Sequence, residues 1–169
     1  MYKRALEADP KHANNLGNYA LFLENDRKDS DAAEAMYKRA LEADPKRANT
    51  RANLARLLLA NGKADGLVLL NGVLESLREN PLPQVELECA FYRFAHDPSS
   101  NRTDALRLVR RLVEQGVRSP GWDLSRNVDR AVLDGHSEGP WLRKLAAVVN
   151  RDAQPDLLSN WPAWQTAAA

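Results

Sequence analysis

The chain has 169 residues, 44% hydrophobic and 28% charged, which fits one ordinary domain able to bury roughly 68–70% of its unfolded surface without disulfides or metals, in keeping with a single cysteine, Cys89. Lys and Arg number 24 against 23 Asp and Glu, spread evenly over both halves, so no broad positive field exists to gather phosphates and nucleic acid is an unlikely partner. The longest apolar run, Leu57 to Ala60, is far short of the ~20 residues of a membrane span, and the first ten residues lack the apolar stretch of a secretory signal, so a cytoplasmic location is expected and the sequon at Asn101 is read as chance.

The first element is met twice. Residues 1–10 read MYKRALEADP and residues 36–45 read the same, an offset of 35, and repeats take precedence over local reading. Lys11, Ala13, Asn14, Asn18, Ala20 and Lys28 recur at that offset as Lys46, Ala48, Asn49, Asn53, Ala55 and Lys63. Residues 1–9 therefore form the second helix of a unit whose first helix is missing. The chain is accordingly expected to be the C-terminal portion of a longer array, or else to form a homodimer through the half unit; Tyr2, Ala5 and Leu6 would otherwise be partly exposed.

A helix over about residues 13–25 follows, because Leu16, Tyr19, Ala20 and Leu23 fall at i, i+3, i+4 and i+7 on one stripe. Asn25 to Ser30 form a polar turn. The next helix carries Ala33, Tyr37, Ala40 and Leu41, with Asp31 as its expected N-cap and Pro45 as its stop. Small residues at positions 20, 33 and 40 allow two antiparallel helices to approach closely.

Leu16, Tyr19, Ala20, Leu23, Ala33, Tyr37, Ala40 and Pro45 together resemble the tetratricopeptide repeat (TPR); one extra residue in the turn turns its usual period of 34 into 35. The resemblance is dense over residues 1–60 and degenerate over 61–116. It implies an all-α fold, an α-solenoid of antiparallel helix hairpins: a half unit at 1–10, units at 13–45, 48–80 and 84–116, and a C-terminal helical cap over 119–169.

In the second unit Leu54, Ala55 and Leu58 keep the stripe, but Arg51 stands where Leu16 stood. Its second helix, 64–79, carries Leu67, Leu70, Leu74 and Leu77 and ends at Pro81 and Pro83. A third pair spans 85–96 and 103–115, joined by the turn Asp97-Pro98-Ser99-Ser100 and stopped by Gly116. The tail breaks the period. Helices are predicted at 124–133 and 140–150, then a short turn at 155–158 and an irregular wrap around Trp161-Pro162-Ala163-Trp164. All four tryptophans lie in this tail, suited to closing the uncovered end of an array.

No constellation carries chemistry. His12, His96 and His136 lie in separate predicted turns with no cysteine beside them, so no metal site is expected. Cys89 reads as a small buried hydrophobe, no phosphate-binding loop, calcium loop or nucleophile elbow occurs, and neither enzyme activity nor a cofactor is expected. The TPR resemblance implies instead a concave groove, lined by first-helix residues off the packing stripe, that takes a partner's peptide or helix. These are Asn14, Gly17, Leu21 and Glu24, then Asn49, Ala52, Arg56 and Leu59, with Lys11, His12, Lys46 and Arg47 at the rims. The partner-binding set is thus Lys11, His12, Asn14, Leu21, Lys46, Arg47, Asn49 and Arg56. Asn14 and Asn49 stand out, since an amide serves a peptide backbone without the desolvation cost of a charge, whereas Asn18 and Asn53 fall nearer the packing side. The alternatives are a recruitment domain at the end of a larger enzyme and, lower, an RNA-binding helical repeat favoured by Arg107, Arg110 and Arg111.

Overall fold

The computed structural model describes residues 2–99 and 101–167, with the side chains of residues 3–5 outside that description, so that the expectations for the Ala5 side chain and for Ser100 lie outside the described residues. The described residues form ten α-helices and no strand. The first helix is α1 (Tyr2–Ala8), whose Tyr2 ring packs 5.8 and 5.7 Å from those of Tyr19 and Phe22.

Three hairpins follow: α2 (Ala13–Asn25) with α3 (Ser30–Ala43), α4 (Ala48–Ala60) with α5 (Asp65–Ser76), and α6 (Pro83–His96) with α7 (Asn101–Glu114). The first helices begin at residues 13, 48 and 83, so the 35-residue period continues into the third hairpin. Proline sets that last start. Pro83, expected to end the preceding helix, instead opens α6, where its missing N–H costs nothing and its fixed φ suits the first turn.

Local rules act twice at the repeat junctions. Asp9 Oδ1 accepts the Lys11 N–H at 3.2 Å, and Asp44 Oδ1 accepts that of Lys46 at the same distance, the side-chain turn that Asp favours before a helix. The cap of α3 needs a correction: Asp29, not Asp31, is the N-cap, its Oδ1 accepting from Ala32 N–H at 3.0 Å. Asp31 lies in the first turn, where its charge still suits the helix dipole.

The small residues pack as their positions require. Ala20, Ala33, Tyr37 and Ala40 are fully buried between α2 and α3. The second hairpin brings its helices together with glycine: a Cβ on Gly66 would stand 2.8 Å from the Ala55 carbonyl oxygen and 2.6 Å from Leu59. Alanine there would push α5 off α4.

The tail does more than follow the array. Gly116, at φ +83°, ends α7 in a conformation a side chain would resist. Residues 117–124 then run beside α4 and α6, and α8 (Ser125–Leu133) packs against both. α9 (Gly139–Val149) packs on α6, and after a 3₁₀ turn (Pro155–Leu158) α10 (Pro162–Thr166) reaches α7. Three tryptophans gather there. Trp141, Trp161 and Trp164 stack at 5.7 and 6.4 Å, with the Lys144 ammonium 4.1 Å from the first ring and the Arg110 guanidinium 5.5 Å from the last. Cations thus close both ends of an aromatic ladder, and Phe94 of α6 meets Trp161 edge-on. Trp122 lies apart. No described helix is long and apolar enough to cross a membrane.

Candidate functional site

The first helices share a face that lines a cavity of about 250 Å³, with Trp122 of the tail as one wall. The 35-residue period sorts this face into rows. Asn14, Asn49 and Gln84 occupy the second position of α2, α4 and α6; Asn18, Asn53 and Glu88 follow four residues later, one turn on along the same side. All six line the cavity. Asn14, Asn49 and Gln84 are exposed along the whole row, leaving amide donors and acceptors free to face a ligand. Asn18 and Asn53 do not lie on the packing side as expected. They stand exposed and half-buried, on the same face.

The expected partner-binding residues separate into two groups. Lys11 and Lys46 are exposed, and Leu21 and Arg47 are half-buried at the cavity, Arg47 donating from Nε to Thr50 Oγ1 at 3.4 Å. His12 caps α2, its Nδ1 accepting from Asn15 N–H at 3.3 Å. Arg56 is a correction. Expected in the groove, it is 5% exposed, donates from Nη2 to Glu24 Oε2 at 2.6 Å and lies 5.1 Å beneath the Trp122 ring. Glu24 and Leu59 are buried too, at 2% and 4%.

The buried pair is held from several sides. Tyr37 Oη donates to Glu24 Oε2 at 3.3 Å, and Arg126 of α8 stands 3.9 Å from the other oxygen while reaching Asn61 Oδ1 at 3.1 Å. Burial, and then the Glu24 charge, push the Tyr37 phenol up, so it stays a donor. Burial works against the Arg56 charge, yet the Glu24 carboxylate outweighs it and holds that guanidinium protonated. Glu88 lies deeper than its row-mates: burial pushes its carboxyl up, opposed by the hydroxyl of Ser119, which donates to it.

Cys89 and the two later histidines pack into the fold. Cys89 is fully buried and burial pushes its thiol up. His96 and His136, distant in sequence, meet at the seam between α6 and the tail: His96 Nε2 lies 2.9 Å from Asn127 Oδ1, and His136 Nε2 3.3 Å from the Phe94 carbonyl oxygen. Burial holds both imidazoles below their ordinary range. Among the described residues no three His, Cys, Asp or Glu stand close enough to hold a metal ion.

Gln84, Glu88 and Trp122 escaped the sequence reading. The first two were legible, since adding 35 to Asn49 and Asn53 gives them; Trp122 belongs to a segment with no period to extrapolate.

The geometry has a counterpart among known families: residues 25–81 match the family model described as tetratricopeptide repeat. This stretch is TPR sequence. The match takes in α3, α4 and α5, a third of the chain. TPR repeats generally mediate protein–protein interaction and are generally not catalytic. No curated protein and no solved structure matches the chain.

Proposed function

We propose that the chain is a non-catalytic scaffold that holds an extended segment of a partner protein across α2, α4 and α6. The observation that carries this is the amide row Asn14, Asn49 and Gln84, exposed at equivalent positions of three successive helices. Packed helices lie 8–10 Å apart, which is about three residues of extended chain at ~3.3 Å each. Each helix would thus meet every third peptide unit of the ligand with a side chain that can both donate and accept. A cavity of about 250 Å³ walled by Trp122 suits a strand-like segment better than a helix about 10 Å across. Leu21 supplies an apolar contact, and Lys11, Lys46 and Arg47 flank the entrance. Arg56 and His12 act indirectly, one by seating Trp122 and the other by capping α2.

The test is selection of random peptides displayed on phage against the immobilised chain. Asn14→Ala, Asn49→Ala and Gln84→Ala combined should abolish retention, while stability stays within about 0.5 kcal/mol because all three are exposed. Equal retention by the triple variant overturns the reading.

A further inference from the structure

The groove does not stop at α6. Asn49, Gln84 and Val85 also line a second cavity of about 720 Å³, whose opposite wall comes from the tail and includes Arg118, Arg151 and Gln154. No Asp or Glu lines it. Neither arginine forms an ion pair with a described residue.

Arg118 is fixed in place. Its Nη1 donates to the Val113 and Val117 carbonyl oxygens at 2.8 and 2.7 Å, leaving the Nε and Nη2 protons for another acceptor. Burial, and after it the charge of Arg151, hold the Arg118 guanidinium below the usual arginine range. Two like charges therefore stand together, uncompensated, where the amide row ends. Neutral amides along the groove and a cationic pair at its end call for a ligand whose backbone meets the first and whose negative charge meets the second.

We infer that the second cavity receives a carboxylate of the bound segment, so that the partner peptide is acidic at the end extending beyond α6. This rests on the groove reading above and names the chemistry of its ligand. A guanidinium–carboxylate contact is strong because both partners are charged and the fork of donors matches two oxygens.

The probe is an array of random-sequence peptides, each with a free and an amidated C terminus, bound by the full chain. Captured peptides should be enriched in Asp and Glu towards one end. Arg118→Gln with Arg151→Gln should lose that enrichment and bind the acidic peptides about tenfold more weakly or worse, with captured neutral peptides unaffected. Should the double variant fold poorly, Arg151→Gln alone carries the test, as its side chain is exposed. Sensitivity to amidation assigns the carboxylate to the chain end, and insensitivity assigns it to side chains. Capture that depends on the amide row but shows no acidic bias, or acidic peptides bound equally by the arginine variants, overturns the inference and leaves the groove standing. Absence of any capture removes both.

Discussion

The two ends of the first-helix face differ although one repeat built them. Leu21 of α2 is half-buried, its counterpart Arg56 of α4 is 5% exposed, and the next, Phe91 of α6, is fully buried. Asn18, Asn53 and Glu88 follow the same progression from exposed to half-buried to buried. The cause is the tail, which packs against α4 and α6 and reaches the first hairpin with Arg126. A repeat position is thus a ligand surface where nothing covers it and core where the chain folds back. Only the outermost row, Asn14, Asn49 and Gln84, stays exposed throughout.

The largest expected effect comes from removing part of what covers the far end. Ending the chain after Gln154 deletes Leu158, Trp161 and Trp164, all buried, and strips Phe94 of an aromatic neighbour. Losing one buried Trp costs about 3–5 kcal/mol, so chemical denaturation should show at least that loss, with dye-binding apolar surface exposed. Unchanged stability would mean that burial at α6 does not depend on the tail.

The next effect lies at the midpoint of the gradient. Arg56→Met leaves the buried Glu24 with the Tyr37 hydroxyl at 3.3 Å and, as its one cation, Arg126 at 3.9 Å and should cost about 3–5 kcal/mol, whereas adding Glu24→Leu should recover most of it, because an apolar pair replaces a buried ionic one at little net cost. Failure of the double variant to recover would show that the pair is needed for more than mutual compensation, Trp122 seating being the contact to examine by its fluorescence.

The seam itself should respond to acid. Unfolded imidazoles titrate near 6.5, whereas burial holds His96 and His136 lower in the fold. As pH falls below about 6.5 the unfolded chain takes up protons first, so stability is full above that value and declines towards the folded values. Asp97 and Asp123 add a loss only in stronger acid: hydrogen bonds from the Ser99 and Ser125 segments outweigh burial and hold both carboxyls below their ordinary range, and that stabilisation goes as pH passes down through the folded values. His96→Gln with His136→Gln should flatten the first slope and leave the second.

How much of this the sequence revealed follows the same gradient. Helix α2 was legible to the residue, and the hairpins were legible because periodicity reports burial between neighbours at short range. The amide row could have been completed to Gln84 by the same arithmetic. Arg56 could not be placed, for its environment comes from Glu24 at one side and Trp122 at the other, and no local pattern announces a charge paired across 32 positions. The arginine pair is equally hidden: Arg118 and Arg151 lie just beyond the C-terminal ends of α7 and α9, and only the return of the tail brings them together.

The smallest expected effect separates stability from binding at that pair. Arg151 adopts φ +73°, a left-handed conformation, one residue beyond the C-cap of α9. Such a conformation costs an L side chain roughly 1–2 kcal/mol, whereas glycine adopts it freely but loses about 0.5–1 kcal/mol of chain entropy on folding. Arg151→Gly should therefore raise stability by roughly 0.5–1 kcal/mol, with relief of the repulsion on Arg118 acting in the same direction. A residue present only to end a helix would be improved by that change in every respect. One present for its charge would leave a more stable protein that binds acidic peptides less well, and that opposition, measured by denaturation and by peptide titration on the same sample, decides between the two roles.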